Sequence, residues 1–242
     1  MSRLLIVAAL VSSLTSLSSL ASADRIASPN AAPRAPSTHQ FAQPPNAAAE
    51  LPQPDIAPYR VLDRATVRAQ LLANRSANLA RFRAYQKKGV FPSNTFADRK
   101  LNVWLDEFGH LCAAATIIKM SGNEDLVARV AEQSNFIRLA DVRQGPLMDW
   151  ILTSGLTQEE IAAIQEPFMP VTDEPRIQPK PEEPVINVAK RKAEDARLLA
   201  RYRTVDAMIV KNQKRSLDTA VDRLMEHPTL AWQLIDNAAR AD

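Results

Sequence analysis

The sequence predicts a mainly α-helical protein: a small helical domain with one short strand or hairpin region and a long C-terminal helix. Three observations carry this. Glycine is scarce, with 5 residues against 17 prolines, which argues against a turn-rich β-sandwich. Apolar residues recur at three-to-four spacing over 63–88 and again over 198–224. Residues 186–226 contain neither proline nor glycine, the two residues that most readily interrupt a helix.

The chain opens with an expected export signal over residues 1–23. Arg3 supplies a positive start, Leu4 to Val11 an apolar core, and Ala21-Ser22-Ala23 a small-residue cleavage site before Asp24. A membrane-spanning helix needs about 20 predominantly apolar residues. Here Ser12, Ser13, Thr15 and Ser16 interrupt the run, so cleavage is expected, with no transmembrane segment after it. No cysteine lies near the cleavage site and no twin arginine is present, so general secretion without a lipid anchor is expected. The expected location is the periplasm or the extracellular space.

Residues 24–59 are rich in proline, alanine and serine, and bear few large apolar groups. Such a segment reads as a disordered, semi-extended linker. A compact, mainly helical domain is expected over 60–168, a Pro-rich acidic linker over 169–185, with a long arm packed over the surface as the alternative, and C-terminal helices over 186–242.

Within the compact domain, Asp63 is a good N-cap, and Lys87-Lys88-Gly89 suits a helix C-terminus. Val67, Leu71, Leu72, Leu79, Phe82 and Tyr85 form its apolar stripe, with Arg75 and Asn78 falling inside it. Phe91-Pro92-Ser93-Asn94 reads as a turn. Leu101, Val103 and Leu105 alternate with Asn102, Trp104 and Asp106, the period of a strand. Residues 111–121 read as a short helix closed by Gly122, with a hairpin partner strand over 111–118 as the alternative. Asn123 is placed to cap the next helix, with Leu126, Val127, Val130 and Ala131 facing inward. Residues 147–153 form another helix, and Thr157 with Glu160 a capping box for the one after it. The long helix is expected over 186–226, about 60 Å at 1.5 Å per residue. The polar run Lys211 to Arg215 is the place where it could break into a hairpin. Pro228 suits the first turn of a last short helix over 228–240.

Charge is unevenly placed. Residues 60–100 hold 10 Lys/Arg against 2 Asp/Glu, and residues 101–184 hold 6 against 14. The simplest expectation is that the basic first helix faces the acidic segment within one fold. The sharper one is a surface of Arg64, Arg68, Arg75, Arg81, Arg83, Lys87 and Lys88 that binds an anionic partner. For an exported protein that partner is an anionic lipid, lipopolysaccharide or wall polymer rather than nucleic acid.

Chemistry-bearing residues are few. The histidines are His39, His110 and His227, and the single cysteine, Cys112, precludes an internal disulfide. The segment Asp106-Glu107-Phe108-Gly109-His110-Leu111-Cys112 is the candidate catalytic cluster. Amides of a helix start lower a thiol pKa, so Cys112 is a possible nucleophile with His110 as base and Glu107 beside it. The obstacle is that residues two apart do not face each other on a helix. The competing reading of Cys112 is a small buried hydrophobe. One Glu107-x-x-His110 is half of a carboxylate metal site, so no metal is expected, nor any cofactor. The chain has no phosphate-binding glycine loop, dinucleotide fingerprint or Gly-x-Ser-x-Gly. The leading expectation is therefore a non-enzymatic interaction or structural protein that binds an envelope component or another protein through its long C-terminal helix or basic first helix; a single-thiol enzyme centred on Cys112 is the alternative.

Residues 85–168 carry a set of motifs: Gly89-Val90-Phe91-Pro92, the run Val103 to Ala113, Ser121-Gly122, Ser154-Gly155-Leu156-Thr157 with Glu160, and Ile164-Gln165-Glu166-Pro167. In these the chain resembles a family of uncharacterised exported bacterial proteins. The resemblance implies export and a compact unit over 60–168, and no activity.

Overall fold

The computed structural model describes residues 60–174 and 184–240, which lie in one compact unit, Ile56–Asp242. The expected signal segment, the 24–59 linker and residues 175–183 lie outside the described residues. Eight α-helices are present among the described residues: α1 (Arg64–Lys88), α2 (Ala113–Met120), α3 (Glu124–Ser134), α4 (Pro146–Thr153), α5 (Gln158–Ile164), α6 (Val188–Lys211), α7 (Gln213–Met225) and α8 (Pro228–Ala239). A single 3₁₀ turn, Leu139–Asp141, precedes α4.

α1 is the central helix, and its ends follow local chemistry. The Asp63 carboxylate accepts from the Ala65 and Thr66 amides at 3.2 and 2.8 Å. At the other end Gly89 turns left-handed, with φ 65°, and donates to the Tyr85 carbonyl. Val67, Leu71, Leu79, Phe82 and Tyr85 are buried as expected, whereas Leu72 lies at the edge of the core, 38% exposed. α1 packs against α2, α6, α7 and α8. The C-terminal helices therefore share the core of residues 60–168.

The expected strand does not form. Leu101 and Leu105 make only isolated bridges, to Phe168 and Leu111. Trp104, placed outward by the alternation, is fully buried, and its ring N–H donates to the Val127 carbonyl at 3.1 Å. A side chain closes the hydrogen bonding of this segment where a neighbouring strand would. The Asn135 amide accepts from the Leu105 N–H and donates to its carbonyl, both at 2.9 Å. The two-residue alternation thus falls in an irregular segment in which Val103 and Trp104 are both buried, and not in a sheet. The hairpin alternative over 111–118 fails with it, because Ala113–Met120 is helical. Asn123 occupies the N-cap position of α3 but makes no capping bond; its amide donates back to Ser121 instead.

The single helix expected over 186–226 is two helices, broken at Asn212. It is a bend rather than a hairpin. Residues 64, 68 and 83 of α1 meet residues 222, 218 and 206, so α6 and α7 run one after the other, antiparallel to α1. The bend has a partner. Arg75, fully buried on α1, donates to the Ile209 carbonyl at 2.8 Å, an acceptor that the interrupted helix leaves open. The same guanidinium donates to the Gly155 carbonyl at 3.0 Å and grips Glu160 through both carboxylate oxygens at 2.7 and 2.8 Å. Glu160 also closes the capping box of α5 with Thr157. Gly155, at φ 75°, lies so close to α1 that a Cβ would sit 2.0 Å from the Leu71 carbonyl oxygen. One arginine therefore ties the α4–α5 turn, the start of α5 and the α6–α7 bend to the central helix.

The described part of the acidic 169–185 segment is packed onto the body. Val171 and Thr172 are buried, and the Val171 amide donates to the Asn94 carbonyl at 3.1 Å.

Candidate functional site

The basic surface expected on α1 is largely consumed by the fold. Arg64 pairs with Asp222 and Arg68 with Asp218, both on α7, and Arg83 pairs with Asp206 on α6 at 3.1 Å. Arg75 is buried against Glu160. Arg81 is half-buried and donates to Asn78 at 2.7 Å. Of the seven predicted residues, Lys87 and Lys88 are exposed without a carboxylate partner among the described residues. Two residues of the acidic segment pair with α6: Glu166 with Arg197 at 2.6 Å and Arg201 at 3.0 Å, and Asp173 with Lys190 at 2.9 Å. These partners lie too far apart along the chain for a charge count to reveal.

The predicted catalytic cluster does not assemble. Cys112 is the N-cap of α2, and its sulfur accepts from the Ala115 amide at 3.4 Å, the helix-start position that lowers a thiol pKa. Burial acts against this and is larger. The residue is 1% exposed, and desolvation pushes the thiol up to about 12. His110 turns to Asp106, with Nδ1 3.1 Å from the carboxylate, and Glu107 accepts from the Thr95 hydroxyl at 2.6 Å. The base, the carboxylate and the thiol point to three different partners. Cys112 therefore sits as the small buried hydrophobe of the competing reading, in the core with Tyr85 and Tyr202.

A basic cavity lies elsewhere. A concavity of about 620 Å³ is lined by Arg99, Lys100 and Arg138, with Leu101, Phe136 and Gln165 among its walls. No carboxylate lines it. Arg99 and Lys100 are exposed and have no ion-pair partner among the described residues, while Arg138 makes one long surface pair with Asp141 at 3.6 Å. Exposed pairs of that kind hold a side chain weakly.

The walls of this cavity are fixed by backbone ties. The Asn94 amide donates to the Arg99 carbonyl at 2.7 Å, and Leu101 and Phe168 exchange both backbone hydrogen bonds, at 3.0 and 2.8 Å. On the far side Gln165 accepts from the Leu139 amide and donates to the Ile137 carbonyl, both at 2.8 Å. Phe136 is 45% exposed and held edge-on by Phe96, with ring centroids 5.2 Å apart. The result is three cations and an aromatic face around one opening, an arrangement suited to a ligand carrying negative charge beside an apolar group. Sequence reading missed it. Arg99-Lys100 and Arg138 lie about 40 residues apart, in loops without motif or period.

No helix among the described residues is long and apolar enough to cross a membrane. No family model, no curated protein and no solved structure matches the chain.

Proposed function

We propose that the protein is an exported, non-enzymatic interaction protein that takes an anionic envelope ligand through the cavity of Arg99, Lys100 and Arg138. The observation that carries this reading is the set of three cations around one 620 Å³ opening with no carboxylate in its lining. It contrasts with α1, whose arginines are mostly neutralised by the fold. The form of residues 1–23, and the resemblance over 85–168 to exported bacterial proteins of unknown activity, support the placement outside the cytoplasm. A periplasmic or secreted chain meets phosphate-bearing lipids and lipopolysaccharide, so the ligand class is a phosphate- or carboxylate-bearing envelope component. Burial of Cys112 and the separate partners of His110 and Glu107 weigh against the thiol-enzyme reading.

The test is co-sedimentation of the full chain with phosphatidylglycerol vesicles and with lipopolysaccharide, at low and high salt. Binding is expected at low salt and is expected to weaken as salt rises. Three exposed charge contacts at about 0.5–1 kcal/mol each predict a loss of roughly tenfold or more in the Arg99→Ala/Lys100→Ala/Arg138→Ala variant. Failure to bind either anionic surface at low salt, or undiminished binding by the triple variant, overturns the reading.

A further inference from the structure

The loop that failed as a thiol site builds a different one. Asp106 is buried, with a fully buried side chain, and its carboxylate accepts from three backbone amides. These are Ser93 at 2.9 Å, Phe108 at 3.0 Å and His110 at 2.7 Å. The imidazole of His110 is the fourth group on this carboxylate, through Nδ1 at 3.1 Å. A carboxylate surrounded by donors takes a fourth donor, so the proton sits on Nδ1 and the opposite nitrogen, Nε2, is left for a ligand. The His110 side chain is 40% exposed and lines a second cavity, of about 410 Å³, together with Lys88 and Lys119.

Much of the remaining wall is apolar, beside Tyr85 and Thr116. Val90, Leu111 and Met120 line it, with Val90 38% and Met120 51% exposed. Phe108, 41% exposed, leans toward the His110 ring, with centroids 6.3 Å apart. Cations at one rim and an open apolar wall complement a molecule with a negative head and a hydrocarbon tail. The volume falls within the range of about 300–1,000 Å³ common for small-molecule sites.

We infer that the cavity of His110, Lys88 and Lys119 is a binding site for a single-chain carboxylate amphiphile. Lys88 and Lys119 draw the carboxylate to the rim, while Val90, Leu111 and Met120 cover the chain. His110, anchored on Asp106 through Nδ1, lines the same cavity with its other ring edge available to the ligand.

The charged and titratable groups around His110 come from four elements. Asp106 and Glu107 lie in its own loop, with Glu107 bonded to Thr95. Tyr85 and Lys88 come from α1, and Lys119 from α2. Glu124 of α3 stands 3.7 Å from Lys119. Tyr85 is kept in its neutral form by burial, so it does not compete as an anion.

The experiment titrates the full chain with decanoate, below its micelle concentration, by calorimetry. The expected result is saturable binding, with decanol weaker by about fivefold or more. Lys88→Ala/Lys119→Ala is expected to weaken decanoate binding by about fivefold or more. No binding of decanoate, decanol binding as tightly, or an affinity undiminished in Lys88→Ala/Lys119→Ala overturns the inference. Circular dichroism checks that the variant keeps its helices.

Discussion

Replacing Arg75 by methionine tests the account of how the central helix holds the rest of the fold. The side chain is fully buried and makes four hydrogen bonds, two to Glu160 and one each to the Gly155 and Ile209 carbonyls. Methionine restores most of the volume, so the cavity contribution is small. What remains is the Glu160 carboxylate, 3% exposed and without its cation, and two carbonyls that lose a donor. Breaking a buried pair by removing one partner costs about 3–5 kcal/mol. Glu160 keeps its bond from the Thr157 amide at 2.9 Å, which moderates the loss. We expect a cost of about 4 kcal/mol. With a urea slope of about 2 kcal/mol/M, the denaturation midpoint should fall by roughly 2 M.

The double variant Arg75→Met/Glu160→Gln removes the stranded charge while glutamine can still serve in the capping box. It should recover at least about 1 kcal/mol relative to Arg75→Met. Urea denaturation followed by far-ultraviolet circular dichroism measures both. A single-variant cost under about 1.5 kcal/mol, or a double variant no more stable than the single, would refute the reasoning.

Two further predictions concern titration. Cys112, at about 12 and buried, should resist iodoacetamide in the folded protein at pH 8.5 and label at once in denaturant. An unfolded thiol loses its proton near pH 8.5 while the folded one keeps it, so the thiol's contribution to stability falls as pH rises above that value. Cys112→Ala should flatten this alkaline decline, and an unchanged slope would assign it to other groups. Asp63 is held below the usual carboxylate range, first by the Thr66 hydroxyl and then by the Thr66 and Ala65 amides. Its depressed folded pKa means that its contribution is present above about pH 4 and lost as pH falls through the folded value. Asp63→Ala should therefore lower the melting temperature at pH 7 and converge with the parent in acid.

The legible parts of the fold are those with causes a few residues apart. Asp63 and Gly89 bounded α1 correctly because a cap acts on amides or carbonyls within one turn. Thr157 and Glu160 marked the start of α5 for the same reason. Arg75 and Asn78 were conspicuous as polar residues inside an apolar stripe, and both are buried and bonded, Asn78 to the Ser154 carbonyl at 2.9 Å. The expected strand was misread because alternation at 101–105 does not track burial, Val103 and Trp104 both being fully buried, and Asn135 supplies the hydrogen bonds that a neighbouring strand would have made. The break at Asn212 carried only a weak sign, the polar run beginning at Lys211. Its physical partner, Arg75, lies 134 residues from Ile209.

The candidate sites divide the same way. Lys88 and His110 were singled out from sequence for different reasons and now line one cavity, with Lys119 as the residue no motif announced. The basic cavity of Arg99, Lys100 and Arg138 was not legible at all. Its members are ordinary loop cations, brought together by the Leu101–Phe168 backbone exchange and by Gln165.

By itself the sequence determined the helical class, most helix ends and the absence of an internal disulfide. Each of these follows from the spacing of apolar groups, from caps or from a count of cysteines. Tertiary structure alone decided which charges are free. Asp206, Asp218 and Asp222 neutralise three arginines of α1 from more than 120 residues away, while Arg99 and Lys100 have no ion-pair partner among the described residues. It also decided the state of Cys112, where the amides of a helix start favour the thiolate and burial outweighs them. Charge and solvation depend on what chain closure brings near, and no local pattern encodes that distance.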